Sequence, residues 1–487
     1  MHEKATAGER DGTLWNADLA PTGTEQRSWD WLSYAALWVA MVVCVPTYLL
    51  AGSLVSEGMN WWQAVLTVLL GNVIVLIPMI LIGHAGAKHG VPFPVLLRSS
   101  FGTLGARLPA LLRGFVACGW FGINCWVGGS AIYVILNALS NGALKGAPLP
   151  LLGIDLAQTV SFLAFWATHL WFIRHGTESI RWLETLAAPF LILMGLTLLA
   201  WAYVTAGGFG EMLKAPSAFI EGGAKEGRFW PTFFMGLTAM VGFWATMALN
   251  IPDFTRFAKS QKDQMIGQTL GLPIPMALFA FIGVAVTSAT VTIYGEAIWD
   301  PVALAGRMGG FGVVVALAAL VIATLTTNLA ANVVAPAYGF SNLAPSRISF
   351  RMGGYITAGI GIAIFPWKLM ESAGTYLFTW LVGYSALLGP IAGILIVDYF
   401  LIRRTELDPN ELFRRDGIYA ARGGWNPAGV SALALGILPS LPGFLAVIGM
   451  LENVPSVFKT LYGYAWFVGA LSAGLLYWLA MRGKRGD

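Results

Sequence analysis

The chain has 487 residues, of which 57% are hydrophobic and 11% charged, with 20 Trp and a mean hydropathy of +0.69. These proportions exclude a soluble globular domain and place the chain among polytopic membrane proteins. A formal net charge of +4 without any dense basic tract speaks of membrane topology and gives no reason to expect nucleic-acid binding.

The polar stretch 1–30 has no apolar core followed by a small-residue cleavage site, so it reads as a cytoplasmic segment and leaves insertion to the first span. Apolar windows of bilayer length predict twelve spans, at 31–55, 62–84, 108–138, 157–173, 181–206, 232–250, 269–295, 312–336, 351–370, 375–401, 427–450 and 460–481. The fold class is an all-α membrane protein. With the N-terminus inside, 22 of the 29 Lys and Arg fall in cytoplasmic segments, which predicts cytoplasmic termini and an inner-membrane location. A ten-span core over 31–401, a polar basic loop over 402–426, two further spans over 427–481 and a tail over 482–487 complete the organisation.

The first span carries Pro46 within C-V-P-T-Y, and a proline at that depth leaves a backbone carbonyl without its donor. Such groups are tolerated in a membrane where they line a cavity or bind something. Cys44, Cys118 and Cys125 all lie in predicted spans, an odd number without ligand spacing, which argues against disulfides and zinc.

In the third span, W-F-G-I-N-C-W-V-G-G places Trp120 and Asn124 on one helix face, with Trp126 expected to pack against a neighbour. His169 of the fourth span is the clearest titratable residue at membrane depth, and a hydrogen bond to a neighbouring helix is its expected role. Glu184 opens the fifth span beside Arg181 as a local pair. The sixth carries a break at Gly242 in V-G-F-W, with Phe243 and Trp244 following. Its exit, N-I-P-D-F-T-R-F, sets Asp253 among Arg256 and Lys259, as an ionic latch or a solvated cap.

The eighth span reads A-T-L-T-T-N-L-A-A-N-V-V-A-P-A-Y from Ala323 to Tyr338. Hydrocarbon cannot satisfy Thr326, Thr327, Asn328 and Asn332, so they must face protein or a ligand, and Asn328 and Asn332 share a helix face. Two indoles with two or three carboxamides suit a flat, uncharged heterocycle with amide edges.

The chain from about residue 20 onward resembles the nucleobase:cation symporter family 1, and within it looks most like the bacterial allantoin and hydantoin permeases. The likeness rests on N-I-P-D-F-T-R-F-A-K-S-Q-K-D-Q (250–264), T-T-N-L-A-A-N-V-V-A-P-A-Y (326–338), W-F-G-I-N (120–124), F-P-W-K-L-M-E-S (365–372) and L-G-P-I-A-G-I-L-I-V-D-Y-F-L-I-R-R (388–404). It implies a leucine-transporter-type fold, two inverted repeats of five helices plus two, working by alternating access as a monomer. By the same likeness Trp120 and Trp244 sandwich the ring, Asn124 stands where relatives have Gln, and Asn328 and Asn332 bond the substrate. Gly242 and Phe243 supply backbone beside the second indole, and Cys44 replaces a polar amide. Backbone oxygens of Ala40, Val43 and Ala323 with hydroxyls of Thr326 and Thr327 form the implied sodium site, protons being the alternative coupling ion. No other cofactor is expected. The expected partners are the lipid bilayer and a hydantoin, allantoin or a nucleobase such as uracil, with a purine or cytosine as the alternative.

Outside that class, a membrane enzyme would need clustered His, Asp, Glu or Cys at reacting depth, and the spans are poor in them. A channel would show continuous polar stripes or rings, whereas here the polar residues form one patch.

Overall fold

The computed structural model describes residues 13–15, 17, 19–175, 181–308, 311–344 and 347–484. Residues 1–12, 16 and 18 of the 1–30 segment and the last residues of the tail lie outside these, as do the side chains of Arg181 and Glu184. The described chain is helical, with two isolated bridges, Trp29 to Ala258 and Arg422 to Trp425.

Several helices begin or end where the sequence supplies a terminator. Asn60 and Gln63 form a reciprocal capping box before Trp61–His89, and Gly90 ends that helix in the left-handed region at φ 71°. Ser260 accepts from the Asp263 amide at the start of Gln261–Gly271, Ser349 from Met352 before Phe350–Ala363, and Asn426 from Ala428 before Pro427–Ile437.

Eight described helices are long and apolar enough to cross a membrane, or ten when each sharply bent pair counts as one span. Bent by 58° is the pair Trp31–Val42 and Val45–Ser56; bent by 90° is Ser456–Gly463 with Ala465–Met481. The two remaining expected spans fall on Phe311–Asn332 and on Phe350–Ala363, the latter only 14 residues long. The tenth expected span, Thr375–Ile402, is wound as a π-helix at both ends, over Thr375–Leu381 and Val397–Ile402.

Packing brings the third-span helix, Arg107–Leu139, against the eighth, Phe311–Asn332, and against the fourth, Leu156–His175. The first span packs on the seventh, Pro273–Tyr294, and the second on the sixth, Phe229–Phe243. A short helix that was not expected, Phe93–Phe101, is buried along its whole length between the second and third spans. Polar contacts hold it there: Arg98 donates to the carbonyls of Leu14 and Leu412 and to Asn342 Oδ1, and Ser99 Oγ donates to Asp398 Oδ2.

Candidate functional site

The first span breaks where Val43 leaves helical geometry (φ −82°, ψ 79°) and Cys44 is extended (φ −146°, ψ 160°). Pro46 is the second residue of the following helix, where its missing N–H removes nothing the helix would use. In a continuous helix the amides of Cys44 and Thr47 would bond the carbonyls of Ala40 and Val43. They donate instead to Val42 at 3.0 Å and to Cys44 at 3.1 Å. Ala40, Val43 and Cys44 all line a cavity of about 190 Å³, so the diverted backbone lies at its wall.

Across this cavity stand Thr326 and Thr327 of the eighth span, and Thr326 Oγ1 donates to the Ala323 carbonyl at 2.9 Å. Four of the five expected oxygen-bearing positions thus share one cavity, with Ala323 directly behind Thr326. Among the described residues no group of three or more His, Cys, Asp and Glu is placed to hold a metal. Uncharged oxygens beside a helix break suit a monovalent cation better than a transition metal.

The third and sixth spans supply the aromatic walls. Trp120 lies edge-on to Phe243 at 5.3 Å, Trp380 at 6.1 Å, Tyr376 at 6.2 Å and Tyr384 at 6.4 Å. Trp244 is held by Trp38 at 5.2 Å and Phe243 at 4.9 Å. Both indoles line the cavity and are about 95% buried. Trp126 packs outside it, against Phe162 and Trp367, as expected of that residue.

The sixth-span break lies at Trp244 and not at Gly242. Phe229–Phe243 ends there, Trp244 has φ −97° and ψ 3°, and Ala245–Asn250 follows. Gly242 is inside the helix and is not a lining residue. A Cβ on it would run into Ser385 Oγ and reach within 2.9 Å of the Leu381 carbonyl, so the glycine serves close approach of the tenth span. Its carbonyl accepts from Tyr384 at 2.9 Å.

Asn124 lines the cavity, bonds its amide nitrogen to the Trp120 carbonyl at 2.9 Å, and leaves Oδ1 buried without a partner. Trp244 Nε1 is likewise buried and unpartnered. Asn332 lines the cavity too, and its Nδ2 donates to Asn328 Oδ1 at 3.0 Å. Asn328 itself stands behind the wall, fully buried. Its Nδ2 faces the Phe121 carbonyl at 3.1 Å and His169 Nε2 at 3.1 Å. His169 therefore bonds a neighbouring helix, as expected of it.

The Asp253 carboxylate is bonded on both oxygens to backbone and carboxamide donors. Oδ1 accepts from the Phe93 amide at 2.8 Å and Oδ2 from Asn250 Nδ2 at 2.7 Å, so the carboxylate caps the short buried helix of another segment. Lining residues that were not expected include Leu37, Met41, Thr246 and Met247. Only Thr246, a hydroxyl two residues past the break, carries a signal that could have singled it out.

A family model described as permease for cytosine/purines, uracil, thiamine, allantoin matches residues 21–469. The chain is 47% identical to a purine-uracil permease of Arabidopsis thaliana over 97% of this chain and 78% of that protein. It is 41% identical to an allantoin permease of Bacillus subtilis, over 97% and 94%. The inward-facing structure of Mhp1 superposes with a TM-score of 0.80 at 26% identity, covering 98% of this chain and 95% of that one. The closed form of Mhp1 with bromovinylhydantoin bound superposes with a TM-score of 0.75 at 25% identity, covering 96% of each.

Proposed function

The chain belongs to the nucleobase:cation symporter family 1, a family of multi-pass membrane permeases and not enzymes, and we propose that it imports a small planar heterocycle with amide edges by cation symport. Hydantoin, allantoin and uracil are the candidate substrates. The observation that carries this reading is the cavity itself: two indoles at its walls, and a buried Asn124 Oδ1 and Trp244 Nε1 with no protein partner. Buried polar atoms are costly when unpaired, so a ligand bearing the complementary donor and acceptor gains what the protein leaves open. Aromatic faces supply stacking that tolerates variation in the ring.

In this reading Trp120 and Trp244 enclose the ring, and Asn124 and Asn332 read its amide edges. Cys44 and Phe243 shape the remaining wall, and the Gly242 carbonyl with its Tyr384 bond lies outside it. Sodium would sit between the carbonyls of Ala40, Val43 and Ala323 and the hydroxyls of Thr326 and Thr327. The diverted Cys44 and Thr47 amides support that assignment. The working form is a monomer with twelve crossings in a 5 + 5 + 2 arrangement, and both termini are cytoplasmic. Exchanging each span with the one five later maps the contacts first–seventh onto sixth–second, and leaves second–seventh and third–eighth unchanged, as an inverted repeat requires. Leu37, Met41 and Met247 then extend the cavity toward the cytoplasm, while Tyr376, edge-on to Trp120, stacks on Trp299 at 5.7 Å.

The test is a thermal-shift screen of the purified protein against hydantoins, allantoin, uracil, dihydrouracil, cytosine and purines, with and without sodium. A ligand that binds the folded state raises the midpoint by mass action. Stabilisation by one of these compounds, enhanced by sodium, supports the reading; no response to the panel overturns it.

A further inference from the structure

Four side chains and two backbone carbonyls form a directed hydrogen-bond chain that runs from the fourth span to the cavity. His169 Nδ1 lies 2.9 Å from the Phe165 carbonyl, and Nε2 lies 3.1 Å from Asn328 Nδ2. Asn328 Nδ2 also lies 3.1 Å from the Phe121 carbonyl, and Asn328 Oδ1 accepts from Asn332 Nδ2 at 3.0 Å. Cys125 Sγ closes the side of this cluster, 3.6 Å from Asn328 Nδ2 and 3.8 Å from His169 Nδ1.

Nitrogen and oxygen of an asparagine, and the tautomer of a histidine, have to be inferred from their partners. Here the partners leave no choice. A backbone carbonyl only accepts, so His169 carries its proton on Nδ1 for Phe165, and the Asn328 atom facing Phe121 must be the amide nitrogen. That nitrogen has two hydrogens. One goes to Phe121 and the other to His169 Nε2, which must therefore be the unprotonated, accepting nitrogen of a neutral ring. Asn328 Oδ1 is then turned toward Asn332, whose amide nitrogen must meet it. Asn332 is left with its carbonyl oxygen and one N–H for the cavity, in one orientation.

We propose that His169 is a positioning residue for substrate recognition, fixing through Asn328 which way round Asn332 presents its carboxamide to the heterocycle. This rests on the proposed function of the cavity. A lactam edge, –CO–NH–, is polar in one direction, and a carboxamide free to rotate by half a turn would meet its N–H with N–H and its C=O with C=O. The locked orientation pairs each group with its complement and rejects a ligand whose N–H is methylated. Neither His169 nor Asn328 lines the cavity, so their effect on selectivity passes through Asn332.

The experiment measures affinities of the purified protein for hydantoin, uracil and allantoin, and for the N-methyl derivatives of the tightest binder, in wild type and four variants. His169→Asn keeps a donor near the Nδ1 position and lacks the outer acceptor; His169→Gln places an acceptor near Nε2. Asn328→Ala removes the middle link, and Asn332→Ala removes the reader. His169→Asn and Asn328→Ala are expected to lose most of the discrimination against N-methylation, which should be roughly ten- to a hundredfold in wild type, the scale of leaving one buried group unpaired. His169→Gln should retain it. Where His169→Asn fails to fold, Asn328→Ala reads the same chain. Wild-type discrimination in His169→Asn or in Asn328→Ala, with loss in Asn332→Ala, overturns the positioning role and leaves the proposed function intact. Wild-type binding in Asn332→Ala and in a fifth variant, Trp120→Ala, overturns the proposed site as well.

Discussion

Trp120 is braced on several sides by rings of the sixth and tenth spans before any ligand enters, so its face is presented without an ordering cost. Replacing it or Trp244 with alanine is expected to weaken heterocycle binding by about 1–3 kcal/mol, the scale of losing one stacking partner. Trp126→Ala, in the separate cluster with Phe162 and Trp367, should change binding less. Equilibrium binding on correctly folded variants checks both, and normal affinity in the Trp120 and Trp244 variants would move the site elsewhere. Trp120, Asn124 and Asn332 were legible in the sequence because a four-residue spacing decides a helix face and hydrocarbon forbids unpaired amides. Asn328 obeys the same two rules, yet it points to His169 and the Phe121 carbonyl. Periodicity says that a side chain faces inward and is silent about which neighbour waits there. For the same reason Tyr376, Trp380 and Tyr384 could not be told from interfacial aromatics until the tenth span was seen against the third.

At the scale of elements, the helices follow hydropathy closely, whereas the breaks were only half legible. Pro46 pointed to a discontinuity, but the backbone turns at Val43 and Cys44, because proline is best accommodated just inside the next helix. Gly242 was a misleading signal, since a glycine in a membrane helix marks close packing as readily as a hinge. Gly242→Ala is accordingly expected to destabilise the protein by about 1–3 kcal/mol through overpacking against Ser385 and Leu381. Adding Ser385→Ala should recover part of the lost melting temperature; no recovery would place the strain elsewhere. The short helix Phe93–Phe101 escaped a search tuned to bilayer length, although it organises one end of the molecule. Asp398 anchors it, accepting from Ser99, from Tyr477 at 2.7 Å and from Arg403 at 2.8 Å while wholly buried. Asp398→Ala leaves the Arg403 guanidinium without its carboxylate, held only by the Ser99 carbonyl and the Tyr419 ring, and should cost about 3–5 kcal/mol, read as a large fall in thermal midpoint.

At the scale of the whole molecule, the broken first span and the eighth both line one cavity, so a cation bridging them would favour the arrangement in which both walls are in place. The proposed substrate walls from the third and sixth spans border the same space, so a cation and a heterocycle bound there would report on one conformational equilibrium. Coupling of this kind is reciprocal: if sodium tightens substrate, substrate tightens sodium by the same factor. Removing the hydroxyl of Thr326 or Thr327 should therefore abolish the stimulation of substrate binding by sodium and leave weak, sodium-independent binding. Substrate affinity across a sodium titration at constant ionic strength and pH measures this. Uptake driven by a pH gradient alone supplies the second arm. Wild-type uptake that follows the pH gradient and ignores sodium would overturn the sodium site. It would leave the heterocycle cavity standing with protons as the coupled ion, because nothing in the indole and carboxamide walls depends on which cation holds the first and eighth spans together.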